Sequence, residues 1–294
     1  MEMAILGRTG LKVSRLGAGL AEIGALTDVS VAGRLLNAAL DGGINFFDTA
    51  ACYGMSEEWI GRTISHRRQE IILATKAGHV IGGYEGEAWT AKTIRDSIER
   101  SLKRMGTDYL DLAQLHSCRL EVLERGEVVG ALLAAKSAGK ARYIGYSGNL
   151  TPALWAIESG QFDTIQVSFN LVDQWARQEV FPRAKAKGLG VIAKRPIANA
   201  AWGAAASSDP VRERYRQMAQ AMSDMGPIAG APNDPILLAL GFTLAHEEVN
   251  TAIVGTGNPD HMRANIAWVE NELPLRPEVV QELHRRFERL VSSP

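Results

Sequence analysis

Short apolar runs that alternate with helical stretches constrain the fold of this chain more than any other feature of its sequence. Each run is rich in residues that favour strands and ends in glycine or polar residues, and the stretches between runs have helical periodicity. Strands that alternate regularly with helices lie parallel and are joined by right-handed crossovers. The runs predicted as strands are 16–19, 44–47, 71–74, 110–115, 142–146, 164–167, 190–193 and 251–254.

The stretch from Ala91 to Met105 shows the helical pattern most clearly, because Ile94, Ile98 and Leu102 share one stripe with its last residue. Glycines follow several such stretches and mark helix ends. Eight strands in 294 residues favour an α/β fold of the (β/α)8 TIM barrel type over an open dinucleotide-binding sheet, because no G-x-G-x-x-G motif follows any run.

The residues before the first run predict an N-terminal β-hairpin with its turn at 8–10, placed to plug the N-terminal end of the barrel. No linker, low-complexity tract or repeat divides the chain, so we expect one barrel domain over residues 1–294. Two long loops rich in small residues, 195–210 and 222–235, indicate function or mobility rather than simple connection.

Composition excludes several classes of protein. The chain is 46% hydrophobic and 22% charged, as ordinary globular proteins are, and its net charge of -1 gives no long-range field to attract nucleic acid or anionic lipid. No apolar run approaches the roughly 18 residues that a membrane helix needs, and the N-terminus is unlike a secretory signal, so a cytoplasmic protein is expected. The only cysteines, Cys52 and Cys118, are too few for a disulfide framework or a structural zinc site, and no metal is expected.

Polar residues stand where several runs end. Asp48, Lys76 and His116 close three of them, and Tyr53 follows shortly after the first. Taken singly, each has an ordinary structural explanation: a helix cap, a solvated strand end, a hydrogen-bonded histidine and a loop aromatic. In an α/β barrel the carboxyl ends of all strands open onto one face, where such enzymes place their chemistry. Convergence on that face favours a catalytic group over four separate structural roles.

The four side chains suit the protonation of a carbonyl oxygen. Asp48 can hold the Lys76 ammonium charged, and the ammonium is expected to lower the pKa of Tyr53 from about 10 by up to about three units. That change prepares Tyr53 to act as a general acid, with His116 as a second donor to the same oxygen. The set contains no nucleophile and no metal ligands, so a nicotinamide cofactor is expected to supply the electron pair.

Ordered motifs extend along nearly the whole chain and are far more specific together than any one alone. They read LGRTGLKVSRLGAG, DGGINFFDTAACYGMSEEWIGRTI, LATKAG, GTDYLDLAQLHS, ARYIGYSGN, IQVSFNL and TAIVGTGNPDHMRANI. In this order and spacing, the sequence resembles the aldo-keto reductase superfamily of NAD(P)H-dependent (β/α)8 barrels. The resemblance implies that Asp48, Tyr53, Lys76 and His116 form the catalytic tetrad, with Tyr53 as proton donor to an aldehyde or ketone.

The same resemblance implies a set of cofactor contacts: Ser147, Asn149, Gln166, Lys194, Arg195, Gly255, Thr256, His261 and Asn265. Two departures stand out. Lys194 takes the place of an aromatic residue that stacks on the nicotinamide, so it would lie along the ring by its methylene stem or contact phosphate. Gly255 and His261 take slots where basic residues often bind the adenosine 2′-phosphate. NADPH is expected, with NADH as the alternative.

Alternative functions remain open from the sequence. A nucleotide-binding regulatory subunit with little turnover is one, and a lyase or isomerase that forms a Schiff base on Lys76 is another. The aromatic residues Tyr84, Trp89 and Trp202, in loops predicted at the barrel mouth, either line a substrate pocket or pack locally. The sequence leaves open the substrate, the preferred direction of reaction and the oligomeric state.

Overall fold

A computed structural model describes residues 1–292 and shows a closed barrel of eight parallel strands. An antiparallel hairpin of β1 (Met3–Ile5) and β2 (Lys12–Ser14) precedes it. The barrel strands then follow in chain order, and the last pairs with the first to close the sheet: β3 (Leu16–Gly19), β4 (Phe46–Asp48), β5 (Ile72–Ala77), β6 (Leu110–His116), β7 (Ala141–Ser147), β8 (Thr164–Ser168), β9 (Gly190–Lys194) and β10 (Thr251–Gly255). The predicted barrel and hairpin are confirmed.

Helices surround the barrel and lie mostly between its strands. They are α1 (Val29–Asp41), α2 (Ser56–Thr63), α3 (Ala91–Met105), α4 (Leu120–Glu124), α5 (Glu127–Ser137), α6 (Leu150–Ser159), α7 (Trp175–Ala186), α8 (Pro210–Asp224), α9 (Pro235–Leu244), α10 (Pro259–Asn271) and α11 (Pro277–Ser292). The bounds of α3 match the prediction because both ends carry clear signals. The Thr90 side chain accepts a hydrogen bond from the Thr93 amide at the start, and Gly106 adopts the left-handed conformation at the end.

All of the predicted strands are present, but several extend further than the apolar runs. Asp48, Lys76 and His116 are themselves strand residues, and the ladder pairs Lys76 with Gln114 and His116 with Ser147. Backbone pairing continues past the last apolar residue because the neighbouring strands remain parallel and in register. The polar side chains at the barrel rim are therefore held by the sheet rather than by flexible loops.

The hairpin covers the N-terminal end of the barrel. Leu6, Leu11 and Val13 pack inside that end against strand residues that include Phe46 and Leu112. The turn is a short 3-10 helix, Gly7–Thr9. Gly7 has a φ of 50°, and a Cβ there would lie 2.2 Å from the Gly190 amide nitrogen, so no larger residue fits. The closed end leaves the opposite, C-terminal end of the barrel for a ligand.

The irregular segment after β9 carries unusual backbone geometry. Arg195, Ala198, Asn199 and Ala200 all have positive φ, between 47° and 58°. Such conformations are costly for residues other than glycine and are typical of ligand-binding segments. None of the helices within residues 1–292 is long and apolar enough to cross a membrane.

Candidate active site

A cavity of about 430 Å³ opens at the C-terminal end of the barrel. Asp48, Tyr53 and His116 line one side of it, together with Ser147 and Gln166. Lys76 lies beneath this surface and is 2% exposed. The structure thus brings together the side chains that the sequence placed at separate strand ends.

Lys76 is a fully paired ammonium group. Its Nζ donates to Asp48 Oδ2 at 2.5 Å and to the Thr49 carbonyl oxygen at 2.8 Å. Burial by itself lowers the pKa of Lys76, but the Asp48 carboxylate and Tyr53 outweigh burial, so the pKa lies above its ordinary value. A charged amine bound to a carboxylate is a poor nucleophile, so the geometry opposes the Schiff-base alternative.

Asp48 is the centre of a buried hydrogen-bond network. Its Oδ1 accepts from Gln114 Nε2 at 3.1 Å and from Gln166 Nε2 at 2.8 Å, and Ser147 Oγ donates to Gln166 Oε1 at 2.5 Å. Sequence reasoning missed Gln114, although an amide inside the apolar strand of LAQLHS was a visible signal. A carboxylate bound by so many donors is fixed in one orientation, and it fixes Lys76 in turn.

Tyr53 lies directly over the Lys76 ammonium, which is 4.9 Å from the ring centroid. The expectation that the pKa of Tyr53 falls below its ordinary value is wrong, although Lys76 acts in the expected direction. Burial of the phenol is the largest influence and exceeds the attraction of Lys76, so the pKa of Tyr53 is raised above its ordinary value. Tyr53 is therefore a neutral phenol at physiological pH, able to donate a proton.

His116 is also neutral. Burial is the main cause that lowers its pKa to about 2, and the neighbouring cations Lys76 and Lys194 add to it. Its ring meets that of Tyr53 edge to face with centroids 5.6 Å apart, and Nδ1 lies 3.4 Å from Cys52 Sγ. A neutral imidazole beside the phenol can donate a hydrogen bond to the same acceptor without transferring its proton.

The end of β9 supplies the opposite side of the cavity with positive charge. Lys194 and Arg195 both line it. Arg195 donates to Ser168 Oγ at 2.9 Å, whereas no carboxylate lies within ion-pair distance of Lys194 in residues 1–292. Burial and repulsion by Arg195 lower the pKa of Lys194 to about 7. This side of the cavity carries charge that the protein does not neutralise by direct contact.

An acidic residue that the sequence did not predict lies beside the end of β10. A Cβ at Gly255 would lie 2.1 Å from Glu22 Oε2, so the glycine makes room for this carboxylate. Glu22 belongs to the 3-10 helix Glu22–Ala25 after β3 and also lines the cavity. Thr256 Oγ1 accepts from the Asn258 amide at 3.0 Å, where α10 begins.

The remaining predicted cofactor contacts lie away from this cavity. Asn149 and His261 are exposed, and Asn265 is buried in α10. Residues that sequence reasoning missed line the cavity in the loop after β9 and at the start of α8: Asn199, Asp209 and Arg212. Nothing in the local sequence marks them, because their position depends on how the irregular loop folds back.

The predicted mouth aromatics do not line the cavity. The Tyr84 hydroxyl donates to Asp96 at 2.7 Å, and Trp89 packs edge to face on His79 with centroids 5.0 Å apart. Trp202 lines a separate cavity of about 440 Å³ between the loop before α9 and α11. The local-packing interpretation fits Tyr84 and Trp89. Within residues 1–292 no group of three or more histidine, cysteine, aspartate or glutamate side chains is placed to hold a metal ion.

Comparison with known proteins gives a consistent result. The family model described as Aldo/keto reductase family matches residues 15–285. The uncharacterized oxidoreductase YrpG of Bacillus subtilis (strain 168) is 32% identical over 98% of this chain and 96% of its own length. L-galactose dehydrogenase of Arabidopsis thaliana is 30% identical over 92% and 88%. An aldo-keto reductase of Bacillus halodurans, solved in its holo form, superimposes with a TM-score of 0.82 at 29% identity, covering 97% and 96% of the two chains.

Proposed function

The chain belongs to the aldo/keto reductase family, and on that premise we propose that it reduces an aldehyde or ketone to an alcohol with a nicotinamide dinucleotide. Tyr53 is the proposed general acid. The observation that carries the proposal is the position of this neutral phenol at the cavity surface, over the charged Lys76 and beside the neutral His116. Related proteins of the family are oxidoreductases, in agreement with this chemistry.

The tetrad residues have distinct proposed tasks. Tyr53 and His116 bind the carbonyl oxygen and set its orientation. As negative charge develops on that oxygen, Tyr53 transfers its proton, and the Lys76 ammonium stabilises the phenolate that remains. Asp48 keeps Lys76 charged and in place through the 2.5 Å contact. A raised pKa of Tyr53 suits this order of events, because the phenol keeps its proton until negative charge develops on the carbonyl oxygen.

The cavity residues fit a nicotinamide dinucleotide. Ser147 and Gln166 present a hydroxyl and an amide beside the tetrad, suited to the carboxamide of the ring, and Arg195 is suited to the pyrophosphate. The start of α10 at Asn258 offers backbone amides for a further anionic group. The bound cofactor supplies the hydride that the tetrad itself cannot. Asn149, His261 and Asn265, which do not line the cavity, remain proposed contacts of the nucleotide.

The preference between NADPH and NADH is part of the proposal. We propose NADPH as the preferred donor, as the resemblance implies, and NADH as the alternative. The Glu22 carboxylate at Gly255 favours the alternative, because negative charge repels a 2′-phosphate and accepts hydrogen bonds from a ribose hydroxyl. The arginine or lysine nearest to Gly255 in sequence is the exposed Arg263, which forms an ion pair with Asp260 at 2.7 Å.

Steady-state consumption of NADPH and NADH with a panel of aliphatic, aromatic and sugar-derived carbonyl compounds tests the proposal. We expect at least one compound to be reduced in proportion to enzyme concentration, with the corresponding alcohol as product. Binding of a nucleotide without turnover of any compound would support the regulatory-subunit alternative instead. Oxidation of the corresponding alcohols with NADP+ or NAD+ measures the reverse reaction at the same site.

A further inference from the structure

Among the cations at the cavity, Lys194 differs from Lys76 and Arg195 in having no side-chain partner at hydrogen-bond distance within residues 1–292. Lys76 is held by Asp48, and Arg195 donates to Ser168. No ion pair or side-chain hydrogen bond joins the Lys194 ammonium to another group within residues 1–292, and the partly buried side chain lines the cavity. A partly buried charge without a counter-charge is costly, so its presence at the cavity surface calls for a functional explanation.

The chemistry of the site fixes where a nicotinamide ring must lie. A hydride passes only between atoms already in near-contact, about 3–3.5 Å apart. The carbonyl oxygen is bound by Tyr53 and His116, so the ring must stand beside these residues, over Ser147 and Gln166. Lys194 lies across the same cavity, close enough for its charge to lower the pKa of His116. A ring in the reacting position therefore experiences the charge of Lys194.

The two oxidation states of the ring differ in charge. The reduced ring is uncharged, whereas the oxidised ring is a cation. We propose that Lys194 makes this cavity discriminate between them, binding the reduced nucleotide more tightly than the oxidised one. The inference rests on the proposed function. The charge of Arg195 acts in the same direction. The pyrophosphate attracts Lys194 and Arg195 equally whether the ring is reduced or oxidised, so it does not remove the difference in affinity.

This discrimination has a direct consequence for the reaction. Reduction moves one hydride from the ring and one proton from Tyr53 to the carbonyl, so the ring gains a positive charge beside Lys194. Repulsion shifts the equilibrium on the enzyme toward carbonyl and reduced nucleotide. It also hastens release of the oxidised nucleotide, a step that often limits turnover. On the enzyme, alcohol oxidation is therefore more favourable than it would be with an uncharged residue at position 194, while net carbonyl reduction gains from faster release of its nucleotide product.

The discrimination depends on pH. Because burial and Arg195 lower the pKa of Lys194 to about 7, its charge is present below neutral pH and is lost above it. The other charged groups that act on it are Lys76, Asp48 and Asp173. Lys76 keeps its charge throughout because its pKa is raised. Preference for the reduced nucleotide is therefore expected to weaken as pH rises through the pKa of Lys194.

Fluorescence titration of the whole protein with NADPH, NADP+, NADH and NAD+ at about pH 6 and about pH 9 tests the inference. Lys194→Met removes the charge while keeping an unbranched side chain of similar length. Lys194→Arg keeps the charge at every pH in this range. Lys12→Met, on the exposed hairpin at the closed end of the barrel, is the control for a change in net charge.

We expect the ratio of the dissociation constants, oxidised over reduced, to fall about tenfold in Lys194→Met at low pH. The wild-type ratio should fall between the two pH values, that of Lys194→Arg should not, and Lys12→Met should match wild type. An unchanged ratio in Lys194→Met, or a pH-independent wild-type ratio, overturns the inference and leaves the proposed function standing. If Lys194→Met does not fold, the wild-type and Lys194→Arg profiles decide. Absence of binding by every nucleotide overturns both.

Discussion

The two sides of the cavity treat charge in opposite ways. At the ends of β4 to β8, the Asp48 carboxylate is bound by the Lys76 ammonium and by the side-chain amides of Gln114 and Gln166. Across the cavity, at the ends of β9, β10 and β3, the charges of Lys194 and Glu22 have no ionic partner within residues 1–292. We call these the paired side and the unpaired side. The difference agrees with the proposed roles, in which the paired side transfers the proton and the unpaired side contacts the charged nucleotide.

Backbone geometry follows the same division. The paired side consists of strand residues held in register, such as Lys76 opposite Gln114. On the unpaired side, Arg195 and the short helix Ala198–Ala200 have left-handed φ values that regular structure would not impose. Pre-organisation is concentrated where bonds are proposed to change, because donors fixed in advance need no reorganisation during reaction.

The largest expected effect concerns the phenol of the paired side. Tyr53→Phe removes the acid and retains the ring over Lys76, so turnover should fall by about 10²–10⁴-fold. The dissociation constant for NADPH should stay within about twofold of wild type, because the hydroxyl is not proposed to bind the nucleotide. Steady-state rates and fluorescence titrations on the same preparations measure both. Turnover retained in this variant would remove Tyr53 from the mechanism.

The next effect tests how strongly the paired side depends on Asp48. Asp48→Asn leaves the buried Lys76 ammonium without its counter-charge, and we expect a loss of about 3–5 kcal/mol in the free energy of unfolding. The matched control is Asp41→Asn, which weakens an exposed ion pair to Arg67 and should cost at most about 1 kcal/mol. Denaturant unfolding measures both. Equal losses in the two variants would show that the network around Asp48 contributes no more to stability than an exposed ion pair.

Removing the charge of Lys194 on the unpaired side should stabilise the protein, whereas removing the charge of Asp48 should destabilise it. The pKa of Lys194 is lowered from 10.5 to about 7, mainly by burial, so the unfolded chain binds more protons between these pH values. Wild-type stability contributed by this group therefore rises with pH across that window, and the full penalty is present below it. Lys194→Met should raise the free energy of unfolding by about 1–2 kcal/mol at about pH 6, with a smaller gain at about pH 10.

Lys12→Met is again the control, because this exposed lysine should show no such gain. Destabilisation by Lys194→Met at about pH 6 would mean that Lys194 has a stabilising partner and that the two sides do not differ as described.

The smallest effect concerns Glu22 and the choice of nucleotide. Glu22→Gln removes the carboxylate beside Gly255, so binding of NADPH should improve by about two- to fivefold relative to NADH. Glu85→Gln, an equal charge change on an exposed loop, is the control. Parallel titrations at low ionic strength measure the ratio. An unchanged ratio would place the 2′-phosphate away from Glu22.

Sequence reasoning predicted the paired side well and the unpaired side poorly. The convergence of Asp48, Lys76 and His116 was predicted because they end strands, and barrel geometry brings strand ends together whatever their separation in sequence. Gln114 was missed although it lies in the same strand as His116, because its place in the network depends on a contact with Asp48 on another strand. The periodicity of the strands and the helix-capping residues therefore predict most of the structure of the paired side.

The unpaired side depends on loop conformation, for which the sequence has no periodic signal. The approach of Glu22 to Gly255 joins segments far apart in the chain, and the position of Arg212 follows from the irregular loop before α8. The direction of the pKa shift of Tyr53 was also wrong, because the sequence shows the nearby Lys76 but not the degree of burial that outweighs it.

The most direct measurement is titration of the protein's tryptophan fluorescence with NADPH and NADH in parallel. If the cavity between the two sides holds a nicotinamide dinucleotide, at least one of them should quench the emission saturably, with a dissociation constant between about 1 μM and 1 mM. No saturable change with either nucleotide up to about 1 mM, confirmed by equilibrium dialysis, would contradict the account.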